Sequence, residues 1–91
     1  MAIGLIMEFA GTTQAQYDAV LKDMNLGGKM PPGGVFHVAG PMDGGWRVID
    51  VWESQGAFDK FRVAQIEPLT RKHGIGAPKV TVFQVHNTLL R

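Results

Sequence analysis

The chain has 91 residues, 45% hydrophobic and 19% charged, a globular balance too apolar for disorder. Nine basic and eight acidic residues give a formal charge of +1 with no basic stripe, which argues against nucleic acid or an anionic membrane as a partner. The absence of cysteine excludes disulfides, thiolate metal sites and a nucleophilic thiol.

No composition break divides the sequence, so residues 1–91 are expected to form one domain. A domain of this size buries a limited share of its surface, and self-association is the expected source of further burial. The opening stretch "MAIGLIMEF" lacks a basic region, meets Glu8 early and is too short for a signal or a membrane span. The expectation is a cytoplasmic protein.

Residues 2 to 9 read as a strand, with Ile3, Leu5, Met7 and Phe9 sharing one face. Gly11 marks a turn. "TTQAQYDAVLKDMN" reads as a helix, with Thr13 and Gln16 spaced as a capping box. Tyr17, Val20, Leu21 and Met24 have the spacing of a buried stripe. Asn25, Gly27 and Gly28 end the helix, since they tolerate the left-handed conformation. The loop "GGKMPPGG" follows and reads as a connector, with a flap over a pocket as the alternative.

Two strands are expected at residues 34–40 and 45–53, joined by the turn chemistry of "PMDG". Ser54 can cap a second helix, "SQGAFDKFRVAQIEPLTRKHG", which Pro68 should kink or restart because it has no backbone N–H to donate. Arg71, Lys72 and His73 suit the negative helix end, and Gly74 is a natural stop. Residues 79 to 86, "KVTVFQVH", form the last strand. The order βαββαβ defines an α+β, ferredoxin-like sandwich: a four-stranded antiparallel sheet with two helices on one face.

Strand parity groups Val35, His37 and Ala39 with Trp46, Val48, Asp50 and Trp52 on one face. A turn spanning Met42 to Gly45 sets residue 37 opposite 50 and 35 opposite 52; a turn at Met42 and Asp43 would pair 37 with 48. On the opposite face lie Arg47, Ile49, Val51 and Glu53 of the second strand, and Phe36, Val38, Ile49 and Val51 are the expected helix-facing set, with Phe83 and Val85 beside them. The face away from the helices would then hold His37, Asp50, both tryptophans, Val80, Val82, Gln84 and His86. Such an aromatic surface needs a cover, and the simplest is a second copy, sheet facing sheet.

The element order, the stretch "GGWRVIDVWESQGAFDKF" and the closing "FQVHN" resemble the dimeric α/β-barrel superfamily. Within it, the closest resemblance is to small proteins with antibiotic biosynthesis monooxygenase-like domains. It covers nearly the whole chain and is strongest at the strand-to-helix junction "VWES..AFDKF". The resemblance implies a homodimeric barrel and a range of activities: cofactor-independent oxygenases of aromatic polyketides, haem-degrading oxygenases, isomerases, cyclases, and proteins with no known activity.

His37 with Asp50 reads as a general base and the carboxylate that fixes its tautomer, or as a buried polar pair that only satisfies itself. Trp46 and Trp52, with Val35 and Val48, would line a pocket for a small hydrophobic or aromatic ligand, or simply pack the interface. Gln84 and His86 would add polar contacts at its far end. His37, Asp50 and His86 lack the close spacing of a metal set, so no metal is expected. His73 matches the helix-end histidine of haem-degrading relatives, but "LIMEF" lacks the first-strand asparagine those relatives use, and no cofactor is expected. The leading expectation is a cofactor-independent monooxygenase-like enzyme acting on an aromatic or polyketide-like molecule. The alternatives are an isomerase or cyclase of the same fold, or a non-catalytic dimeric ligand-binding or stress-related protein.

Overall fold

In the computed structural model, which describes residues 1–91, the chain runs β1 (Ile3–Ala10), α1 (Gln14–Met24), β2 (Gly34–Met42), β3 (Gly45–Trp52), α2 (Gln55–Phe61), a π turn (Arg62–Ile66), α3 (Glu67–Lys72) and β4 (Lys79–Gln84). The four strands form one antiparallel sheet in the order β2-β3-β1-β4. This is the expected ferredoxin-like arrangement, with the second helix divided in three. Pro68, at the start of α3, cannot donate to the carbonyl one turn back, and the chain widens into the π turn just before it. No helix is long and apolar enough to cross a membrane.

Local chemistry fixes the element ends as the residues suggest. Thr13 accepts from the Gln16 N–H, and the Gln16 side chain accepts in return from the Thr13 N–H. Asn25 takes the left-handed conformation that closes α1. Ser54 caps α2 through the Ala57 N–H. The β2–β3 turn is Asp43-Gly44, with Met42 paired to Gly45, so His37 stands opposite Asp50. One pairing differs from expectation. A bulge at Val35 sets Gly34, rather than Val35, opposite Trp52, because the strand carries one extra residue there.

The parity sets are those of the sequence, but their sides are reversed. Trp46, Val48, Asp50 and Trp52 face the helices, together with Ile3, Leu5, Met7 and Phe9 of the central strand β1. Phe36, Val38 and Ile49, expected beneath the helices, are 43%, 46% and 37% exposed on the opposite face. Phe83, also expected inside, is half exposed and lays its ring over Gly4. Volume decides the side. Trp52 is 1% exposed and packs against Phe58 and Phe61. Covering roughly 200 Å² of its surface contributes about 5 kcal/mol before entropy, more than Val38 or Ile49 can return. Charge agrees, because Glu8 and Arg47 pair at 3.0 Å across the face that the helices leave open.

On β4, Val80, Val82 and Gln84 do share the parity of His37, through their pairing with Met7, Leu5 and Ile3. They lie on an edge strand, however, and all three remain exposed.

Candidate active site

The reversal moves the candidate site into the protomer, between the sheet and α1. A cavity of about 470 Å³ opens there, within the range of small-molecule sites. The α1 stripe of Tyr17, Val20, Leu21 and Met24 forms one wall, so these residues line a space rather than close a solid core. The floor comes from Met7 and Phe9 of β1 and from Val48, Asp50 and both tryptophans of β3. Leu26 to Pro31 form another wall, which gives the loop the pocket-facing position of a flap.

At the polar end of this apolar space, four side chains are joined in series. The Tyr17 hydroxyl lies 2.5 Å from His37 Nε2, and His37 Nδ1 lies 2.6 Å from Asp50 Oδ1. Trp52 Nε1 donates to the other carboxylate oxygen, Asp50 Oδ2, at 3.1 Å. An indole nitrogen only donates and a carboxylate only accepts. Asp50 therefore receives the Nδ1–H of His37, and Nε2 is left with its lone pair toward the Tyr17 O–H. The Asp50 side chain is 5% exposed, whereas that of His37 is 27% exposed. The carboxylate is thus the buried anchor and the imidazole the group open to the cavity. Burial, then the charges of Asp50 and Asp18, hold the Tyr17 phenol above its ordinary pKa of 10.0.

His37, Asp50, Trp46, Trp52, Val35 and Val48 all line the cavity. Gln84 and His86 do not. Gln84 is on the uncovered edge of β4 and His86 lies beyond the strand, both exposed, so neither meets the others. Trp46 brings its ring within 5.2 Å of Tyr17, and its indole N–H is buried with no acceptor in the protein. The site's fourth member, Tyr17, was legible only as part of a buried stripe. Its signal was a phenol placed where that stripe otherwise holds Val20, Leu21 and Met24, all lacking a polar tip.

His73 is not part of this array and does not line the cavity. It caps α3 and lies 2.7 Å from Asp23, which Lys72 also contacts at 2.9 Å, joining the ends of α1 and α3. These hydrogen bonds, from Lys72 first and His73 second, hold the Asp23 carboxyl below its usual value. No group of three or more histidine, cysteine or acidic side chains is placed to hold a metal ion.

Comparison with solved structures identifies the fold. The chain has the fold of antibiotic biosynthesis monooxygenase structures, matched from end to end. A candidate monooxygenase of this kind from Chloroflexus aurantiacus superposes with a TM-score of 0.67 at 18% identity, covering 98% of this chain and 97% of that one. A second, from Deinococcus radiodurans, gives 0.62 at 13% identity, covering 100% and 98%. Another similar structure is SnoaB, a cofactor-independent oxygenase from Streptomyces nogalater, with a TM-score of 0.65 at 19% identity over 99% and 97% of the two chains. No family model and no curated protein matches the sequence.

Proposed function

We propose that the protein is a cofactor-independent, monooxygenase-like enzyme acting on a small aromatic or polyketide-like molecule. The observation that carries this reading is the His37–Asp50 pair opening onto an apolar cavity inside the protomer. Asp50 fixes the tautomer of His37, whose other nitrogen becomes the acceptor for a substrate proton. Deprotonation of a phenol or enol leaves an electron-rich anion that reacts with oxygen directly, and the cavity's aromatic walls orient the ring and exclude water. The likeness to SnoaB supports oxygenation over the other reactions open to such a base.

The exposed apolar face of the sheet supports a homodimer in which two copies cover Phe36, Val38, Ile49 and Phe83. This is the expected partner, through a different set of residues from those the sequence suggested.

The test is oxygen uptake with a panel of hydroxyaromatic compounds and no added cofactor. The wild type should consume oxygen with at least one of them, and His37→Ala should lose at least a hundredfold while keeping its fold. Equal uptake by His37→Ala overturns the base. Conversion without oxygen uptake assigns the site to isomerisation or cyclisation instead.

A further inference from the structure

His37 Nε2, the lone pair that the general-base reading needs, is already engaged by the Tyr17 hydroxyl at 2.5 Å. A substrate can reach this nitrogen only by displacing Tyr17 or by working through it. Displacement is opposed by the way the ring is held. Tyr17 meets His37 end to end, the two rings nearly coplanar at 3° with centroids 6.0 Å apart, and it packs against Trp46 from the wall that α1 provides. Once its hydroxyl donates to Nε2, the oxygen still has two lone pairs with which to accept.

We propose that Tyr17 is a catalytic residue and the group that meets the substrate, passing the substrate's proton to His37. This rests on the general-base reading above. In the step, the substrate O–H bond breaks as a new O–H bond forms on Tyr17 Oη. The original Tyr17 O–H bond breaks at the same time, as an N–H bond forms at His37 Nε2. The products are a substrate anion, an unchanged phenol, and an imidazolium held between Tyr17 and Asp50, with no change of oxidation state. A standing tyrosinate is not an intermediate. Burial and the nearby carboxylates of Asp50 and Asp18 disfavour it, and Lys29 is the one fixed cation on the cavity wall. Trp52 completes the array by holding the far oxygen of Asp50.

The probe is p-nitrophenol, whose phenolate absorbs where its phenol does not. Bound to the wild type below the free dye's pKa, it should be about tenfold more ionised than in solution, a shift of about one pH unit. Tyr17→Phe keeps the ring and its packing on Trp46, so it should still bind the dye but lose this ionisation, and His37→Ala should lose it as well. If Tyr17→Phe keeps or increases the ionisation while His37→Ala loses it, His37 acts directly; the relay is overturned and the general base stands. If His37→Ala ionises the dye as the wild type does, both readings fall. Failure of the wild type to bind the dye, or to ionise it, also overturns the relay. A stopped-flow proton inventory on the wild type is independent of how the variants fold. Two protons in flight give a curved dependence on deuterium content, and a straight line overturns the relay.

Discussion

Asp50 and Trp52 are bonded to each other along a single strand: the indole N–H of Trp52 donates to Asp50 Oδ2 at 3.1 Å, two residues away on the same face of β3. The outer oxygen is thereby tied down, and the inner one is left aimed at His37 Nδ1. Asp50→Ala leaves both donors unmet in a buried setting. The expected loss is about 2–4 kcal/mol of unfolding free energy, read from the denaturant midpoint. Asp50→Asn should cost less, because its amide oxygen still accepts from one of the two donors.

The chain contains a single tyrosine, so the ultraviolet tyrosinate band reports Tyr17 alone. Ionisation should occur above the ordinary 10.0, chiefly from burial and secondarily from Asp50. The sign for stability follows from the unfolded phenol losing its proton first. The contribution is present in full below about pH 10 and is lost as pH rises from there through the folded value. Asp50→Asn should lower the Tyr17 midpoint without abolishing the shift, since burial remains.

Asp23 behaves in the opposite sense. Its folded-state pKa lies below the ordinary 3.8, so the contact it makes with Lys72 and His73 is present above that value. It is lost as pH falls through the folded pKa. Asp23→Asn should flatten the decline in melting temperature on acidification below pH 4. Faster amide exchange in the last turn of α1 should accompany this at neutral pH.

Two glycines separate a rigid obstacle from a yielding one. A Cβ at Gly45 would meet the Phe9 carbonyl oxygen at 2.2 Å, whereas one at Gly4 would meet the tip of the Phe83 ring at 2.3 Å. Backbone cannot move aside, but a half-exposed ring can. Gly45→Ala should therefore cost about 1–3 kcal/mol in chemical denaturation, and Gly4→Ala markedly less.

The open face gives a prediction about assembly. Val38 and Ile49 are paired neighbours there, and both are exposed. In the proposed dimer, Ile49→Lys would place two charges in a two-fold interface, because every contact recurs by symmetry. Sedimentation should show dimer association weakened about a hundredfold. Binding of the dye in the cavity should be unaffected, because Ile49 points to the other side of the sheet.

Element order, caps, the Asp43-Gly44 turn and the effect of Pro68 were legible because each depends on residues close in sequence. Hairpin pairing, and with it the His37–Asp50 contact, was legible to within one alternative. The side of the sheet was not, because both faces of β2 and β3 carry large apolar residues and each also carries two polar ones, Arg47 and Glu53 on one and His37 and Asp50 on the other. The better signal was β1, where Glu8 and Gly4 share a face and Ile3, Leu5, Met7 and Phe9 the other. That central strand decides which residues of β3 go inside. Tyr17 was out of reach for a different reason, since its partner His37 lies 20 positions away and only the packing of α1 over the sheet joins them.

Consecutive residues along β3 thus serve separate surfaces, Ile49 the outward one and Asp50 the chamber. In a dimer built on the outward surface, the two chambers would lie back to back with the paired sheets between them. Each would open to solvent at its own end, and neither would need its neighbour's side chains to be complete. A mixed dimer of wild-type and His37→Ala chains should then keep half the sites at full rate. In such a dimer the strand's alternation would leave the chamber side and the assembling side free to vary without each other's consent.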